Sequence, residues 1–415
     1  MTTASSPGSV ANNSAATFAT SLSNNPGSMQ PLRVMHVLDR LDVGGTEKAL
    51  IKLIRASDPA IFEHCICTLR GSTETAREWA AGVKLVNAGR DGAAFQFNVL
   101  RLAKLMKSLR PAIVHSRNWG GIEGIVAARL AGVPVALHSE HGYQLDMRSG
   151  LPLRQRVLRH FAYRMATGVA AVTEELRNYH AGQAWWKPER MTVLYNGVDG
   201  SDFRPQPQAR DIVRRRLGIP VDALVVGSVG RIIPLKDLAT ILRAAKLLTG
   251  EIPNLHILIV GSGQELPNLR TFVDGCGELA GRVTFPGTLA NVQEALNAMD
   301  IFVLPSLMEG MSNTLLEALA VGLPVVASRV GGNPAVVAEG VCGYLFTPQD
   351  APELASVLRT LLRDGKLRNQ FGRAARERVL QHFSLDAMTR RYRDLYIDLA
   401  MRQSAPLGSK SYVRN

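Results

Sequence analysis

IFVLPSLMEGMSNTLLEALAVGLPVVAS, residues 301–328, decides the fold of this chain. IFVLP is a short, continuously apolar run that reads as a buried parallel strand. SNTLLEALAVG predicts a helix: Ser312 and Asn313 stand at its start, Leu315, Leu316, Leu319 and Ala320 recur at helical spacing, and Gly322 marks its end. LPVVAS is again strand-like. Glu309 therefore sits in a loop at the carboxyl end of a strand, and Glu317 lies in the helix that follows. In an open α/β sheet that edge is where ligands bind.

The same alternation extends to both sides. ALVVGSV, LHILIVGSG and VTFPG precede the stretch and GYLF follows it, and the pattern ends near Phe383. A separate series begins with LRVMHVL and continues through HCICTL, KLVNA, AIVHS, VPVALHSE, GVAAVT and MTVLYN, with helical segments between most of them. Between the two, residues 196–211 (NGVDGSDFRPQPQARD) lose all periodicity and read as a linker. Alternation of this kind implies parallel sheets with helices on both faces, so the expected architecture is two facing doubly wound α/β domains with a cleft between them. The expected boundaries are 31–200 and 205–384. A last periodic segment, SLDAMTRRYRDLYIDLAM, carries Met388, Tyr392, Leu395, Tyr396 and Leu399 on one face and either closes the second domain or crosses back to the first. Residues 1–30, rich in Ser, Asn, Ala and Thr, and residues 402–415 read as disordered tails.

Composition narrows the function. A chain of 415 residues with 46% hydrophobic content can bury two cores. No run approaches the roughly 20 apolar residues of a membrane span, and the amino-terminal segment lacks the basic start and apolar block of a signal peptide. Cys65, Cys67, Cys276 and Cys342 are too few and too scattered for a disulfide framework and read as reduced core thiols of a cytoplasmic protein. The net charge of +13 favours an anionic partner: nucleic acid, an anionic membrane surface or a phosphorylated substrate. Arg148, Arg154, Arg156, Arg159 and Arg164 cluster without any acidic residue, and residues 151–165 predict a basic amphipathic helix. Its apolar face is Leu153, Val157, Leu158, Phe161 and Met165, and its other side is Arg156, Arg159, His160 and Tyr163. Such a helix either packs on its own domain or docks on anionic lipid. No nucleic-acid-binding motif accompanies the charge, so nucleic acid is not expected as a partner.

Several loops at strand ends carry chemistry. DVGGTE places Gly44 and Gly45 before the first helix, where the backbone can approach a negative group. GSVGRIIPLKD sets Arg231 and Lys236 just after a strand, two cations that suit a diphosphate. GSGQEL has Leu266 where a dinucleotide fingerprint needs its third glycine, and no P-loop is present. In EGMSNTLLE, the Glu309 carboxylate beside Gly310 and a helix start can accept sugar hydroxyls. HSEHGYQ ends a strand with His138, Glu140 and His141. Strand alternation puts the first two on one face and His141 on the other, which suits a polar contact to substrate from His141 better than a metal site.

Taken in order, GGTEKAL (44–50), HSEHG (138–142), VLYNGVD (193–199), VGRIIPLKD (229–237), VGSG (260–263) and residues 304–328 resemble the retaining glycosyltransferases of family 4, which have the GT-B architecture of two facing Rossmann-like domains. LDRLDVGGTEKALIKLI is also similar to sugar transferases of bacterial exopolysaccharide and exosortase systems. The resemblance implies a nucleoside-diphosphate sugar as donor, a glycan or polyprenyl-linked acceptor, and neither cofactor nor metal. It implies that Gly45 lies beside the donor diphosphate and that Arg231 and Lys236 clamp it. Glu309 would hold sugar hydroxyls with help from the amides of Gly310, Met311 and Ser312, and Glu317 would bind the ribose. His141 would contact the transferred sugar, and the base would lie near Gly287 and Thr288. The final helix, 385–401, would cross back onto the first domain. Hydrolysis, epimerisation or phosphorolysis of a nucleotide sugar, and a non-catalytic binding module, are the alternatives. Cytoplasmic residence, at the inner membrane face, is the expected location.

Overall fold

The computed structural model describes residues 30–42, 44–89, 99–143 and 151–404. The tail expected over 1–30 lies outside that range save for Gln30, as do Arg148 and most of the tail expected from 402.

Two sheets organise the chain. The first has seven strands, β1 (Leu32–Leu38), β2 (Phe62–Thr68), β3 (Lys84–Asn87), β4 (Ile113–Arg117), β5 (Val135–Glu140), β6 (Gly168–Ala171) and β7 (Met191–Val193), in the order β3-β2-β1-β4-β5-β6-β7. The second has six, β8 (Leu224–Val229), β9 (Leu255–Val260), β10 (Val283–Gly287), β11 (Ile301–Leu304), β12 (Val325–Ser328) and β13 (Gly343–Phe346), in the order β10-β9-β8-β11-β12-β13. Every pairing is parallel. Strands β8, β9, β11 and β12 are largely apolar because helices cover both faces, whereas β4 and β5 also carry buried polar residues. All six residues of β9 are buried: Ile257 and Ile259 pack with the helices Ala239–Leu248 and Ala351–Arg363, Leu258 and Val260 on the side of Asn313–Val321. The strand order reverses between β8 and β11, which opens a crevice at their carboxyl ends.

Local signals act where the sequence puts them. The hydroxyl of Ser312 accepts from Leu315 N at the start of the helix Asn313–Val321, and Gly322, with φ of 83°, ends it in the left-handed conformation. The four cysteines are buried and free, with Cys65 and Cys67 on β2. The final helix, Leu385–Ser404, crosses back: Met388, Tyr392, Tyr396 and Leu399 share one core with Val34, Phe62, Ile113 and Leu137 of the first sheet. It continues through residues 402–404, which the sequence reading assigned to a tail. The linker also needs correction, because its last residues open a helix, Pro207–Arg216, with proline in the first turn where its missing N–H costs nothing.

The basic helix is correctly placed, Leu153–Met165, but it is rotated from the expected orientation, with Val157, Leu158 and Met165 only half-buried. Arg159 and Tyr163, expected on the outer side, are buried, whereas Leu153 and Phe161, expected to pack inward, are 66% and 58% exposed. The cause is Glu140 at the end of β5. Its buried carboxylate accepts from Arg159 Nε at 2.9 Å and Tyr163 Oη at 2.8 Å, with His138 Nε2 at 3.3 Å. Burying a carboxylate without partners costs more than exposing two apolar side chains, so the ion pair sets the helix's rotation.

Candidate active site

The loops at the carboxyl edge of the second sheet are laced to one another by backbone hydrogen bonds. Gly261 N donates to Gly287 O, Ile232 N to Ser262 O, Leu307 N to Leu235 O and Gly332 N to Glu309 O. The segments after β8, β9, β10 and β11 thus form one rim. Within it, a short 3-10 turn, Pro234–Lys236, brings Lys236 to Glu309, and the ammonium donates to the Glu309 carboxylate, which also accepts from Ser306 Oγ at 2.7 Å. The sequence around Glu309 contains no cation; the fold supplies one from 73 residues away. Arg231 is exposed on the same rim. Gly287 and Thr288 lie at the end of the edge strand β10, where Thr288 Oγ1 donates to Ser262 Oγ at 3.1 Å, and two strands separate them from β11.

The first sheet faces this rim with Gly45 and His141. The helix Gly45–Ala56 has no cap from Gly44, and Glu47 in its first turn turns its carboxylate back onto its own backbone N–H beside Gly44. Gly45 O accepts from Asn313 Nδ2 at 2.9 Å, and Asn313 in turn is held by Asn196 of the segment after β7. The domains approach closely at Gly310, where a Cβ would stand 2.3 Å from His141 O, so only glycine fits. Met311 is buried, with Asn196 N donating to its sulfur at 3.1 Å, and Ser312 caps its helix. Glu317 is also buried, and Lys52 of the first domain reaches it at 3.2 Å. Burial raises the Glu317 carboxyl above its ordinary range, and Lys52 and Lys48 offset part of that rise.

The fold thus gathers His141, Gly310, Glu309 and Lys236 at one place, with Gly45, Met311, Ser312 and Glu317 along the same interdomain seam. Three participants carried no sequence signal as site residues. Lys52 and Asn313 were visible only as helix positions, and Glu47, in the first turn of the first helix, is pushed up by burial while its own backbone N–H, then Arg231 and Arg117, draw it down.

His141 is neutral here. Burial, then Arg117, lowers its imidazolium to about 3, and burial lowers His64 to about 4; His36 and His115 are lowered in the same way. All four have folded values below the unfolded value of roughly 6.5, so between those limits the unfolded chain binds more protons and stability rises with pH. The thermal unfolding midpoint is therefore expected to fall by several degrees between about pH 7 and about pH 5. A midpoint that is flat over this interval contradicts the burial of neutral histidines.

Two parallel-sheet domains whose facing edges carry paired cations and carboxylates define a GT-B glycosyltransferase. The comparisons agree. The family model for Glycosyltransferase Family 4 matches residues 43–201, and that for Glycosyl transferases group 1 matches residues 209–378. The Escherichia coli UDP-Gal:alpha-D-GlcNAc-diphosphoundecaprenol alpha-1,3-galactosyltransferase is 31% identical over 313 residues, which span 74% of this chain and 80% of that protein. A D-inositol 3-phosphate glycosyltransferase of Thermobispora bispora is 32% identical over 345 residues, 77% of this chain and 78% of its own. Among solved structures, Anabaena Alr3699/HepE in complex with UDP matches with a TM-score of 0.76 over 89% of this chain and 100% of the other, at 20% identity. The chain belongs to the family 4 glycosyltransferases.

Proposed function

We propose that this enzyme transfers a sugar, with retention of anomeric configuration, from a nucleoside-diphosphate sugar to a lipid-linked glycan acceptor at the inner face of the cell membrane, in the synthesis of a cell-surface or exported polysaccharide. The observation that carries the reading is the Lys236–Glu309 pair beside Gly310 and His141. With donor bound, Lys236 and Arg231 face the diphosphate and stabilise the negative charge that grows as the sugar–phosphate bond breaks, in place of a metal. Glu309 holds sugar hydroxyls, aided by the amides of Gly310, Met311 and Ser312, and Glu317 exchanges Lys52 for the ribose. Gly45 and the helix that begins there flank the diphosphate, and Gly287 and Thr288 border the base. The departing phosphate takes the acceptor's proton as the acceptor attacks from the same face, so no protein base is needed.

The lipid-linked acceptor draws on two supports. The Escherichia coli relative is named for a diphosphoundecaprenol substrate. The basic helix also exposes Leu153 and Phe161 next to Arg154 and Arg164, and Trp185, 51% exposed, stacks under Arg156 at 4.4 Å. Exposed aromatic and basic side chains together suit an anionic interface. No described helix is long and apolar enough to cross a membrane.

The test is incubation of the full chain with labelled UDP-, GDP- and ADP-sugars, with and without lipid extract and with EDTA. Lipid-linked label that persists in EDTA supports the reading, and the product's anomeric configuration tests retention. Free sugar without acceptor identifies a hydrolase, and no turnover a binding module. Co-sedimentation with anionic but not neutral vesicles, weakened by salt, supports the membrane contact.

A further inference from the structure

Six side chains form one hydrogen-bonded series through the interior of the first domain, and its direction can be worked out from a single fact. Arg117, at the end of β4 and buried, can only donate. Its Nη1 lies 2.8 Å from His36 Nδ1 and its Nη2 3.4 Å from His115 Nδ1. Both Nδ1 atoms are therefore acceptors, and each ring, neutral, carries its proton on Nε2. His36 Nε2 then donates to His64 Nδ1 at 2.9 Å. His115 Nε2 donates to Ser139 Oγ at 2.7 Å, and the serine's one hydrogen goes on to His141 Nε2 at 2.8 Å. Tyr396 of the crossover helix has its hydroxyl 2.7 Å from the same His115 Nδ1, and in this order it donates to that nitrogen.

This order makes a structural demand. Each end of the series must finish in an N–H with no partner inside the network, at His64 Nε2 and at His141 Nδ1. Those two atoms are buried without a hydrogen-bond partner, whereas both ring nitrogens of His36 and of His115 are engaged.

We infer that Arg117, acting through His115 and Ser139, is a positioning residue that fixes His141 as the Nδ1–H tautomer, presenting a neutral hydrogen-bond donor to the transferred sugar. The inference rests on the reading above that His141 contacts that sugar. A neutral donor is the useful form: it selects a lone pair on a sugar oxygen, and it puts no positive charge beside a sugar that itself becomes oxocarbenium-like as the donor breaks. The fixed tautomer also removes the alternative in which His141 accepts from a hydroxyl at Nδ1.

The experiment uses the full chain with 15N-labelled histidine, read by two-bond 1H–15N correlation at about pH 7, where the lowered imidazoles are neutral. The His141 signals are assigned by their loss in His141→Gln. The expected result is a protonated Nδ1 and a bare Nε2 in the wild-type enzyme, and a mixture of tautomers in Ser139→Ala with about a tenfold fall in kcat and little change in donor KM. A wild-type ring protonated on Nε2 overturns the inference, and that spectrum is decisive even if Ser139→Ala fails to fold. An unchanged Nδ1–H in Ser139→Ala also overturns it. If the tautomer shifts in Ser139→Ala while kcat stays at the wild-type value, the relay stands and the contact between His141 and the sugar is overturned.

Discussion

Lys236→Ala is expected to lower kcat by about a thousandfold, the scale on which removal of a preorganised charge at a leaving group is felt. Lys236 holds the Glu309 carboxylate and stands on the rim built by the loops after β8 and β11, so the substitution removes the cation proposed for the diphosphate and releases the carboxylate proposed to orient the sugar. Donor KM should rise less than kcat falls, because the charge matters most where it develops. Ser306 still donates to Glu309, so the thermal midpoint should drop by only a few degrees. Lys236→Arg should recover part of the rate, since a planar fork replaces a point charge poorly. Steady-state kinetics with the donor found in the sugar panel decides the matter; turnover within about threefold of wild type removes Lys236 from the site.

Glu140→Ala has the second large effect, and it falls on stability. The carboxylate lies among Arg159, His138, His180 and Tyr163. Burial alone would raise its pKa, but Arg159 first, then His180 and His138, hold it well below the usual carboxylate range. The stability it supplies is thus complete above the unfolded carboxyl value of roughly 4.3 and is lost only as pH falls through the lower folded value. Removing the carboxylate leaves the Arg159 guanidinium buried without its partner, at an expected cost of about 3–5 kcal/mol. The midpoint should fall by about 10 °C. The double variant Glu140→Ala with Arg159→Met should regain part of that loss, because an apolar pair carries no desolvation penalty. A single variant as stable as wild type, or a double variant weaker than the single, shows that the pair does not organise this region.

Glu140 also shows why the helix Leu153–Met165 was misread. Periodicity weighs each side chain by its own transfer preference, and on that scale Arg159 belongs outside and Phe161 inside. A buried acceptor contributed by β5 reverses the ranking, and nothing within the helix reports it. The linker error has a simpler cause. Pro207 reads as a breaker in isolation, yet at the first turn of a helix it is well tolerated.

The site divides in the same way. As candidate site residues, Glu309, Arg231, Lys236 and His141 stand out because each follows a strand, and strand ends are recognisable from apolar runs and the turns after them. Their pairing was not legible. Glu309 had no cation in its vicinity along the chain, and Lys236 reaches it only because the loops after β8 and β11 are neighbours in a sheet whose order is not the order of the sequence. The same holds for Lys52 with Glu317 and Asn313 with Gly45, contacts that cross from one domain to the other.

By itself the sequence determined the two doubly wound domains, all their strands and the strand ends that carry the candidate site residues, because hydrophobic periodicity and capping are local and survive without a partner. The tertiary structure alone decided which face of the basic helix is buried, which carboxylate meets which cation, and the direction of the hydrogen bonds from Arg117 to His141. Those depend on the desolvation of polar groups and on donor–acceptor geometry, and both are set only when distant segments of the chain exclude water together.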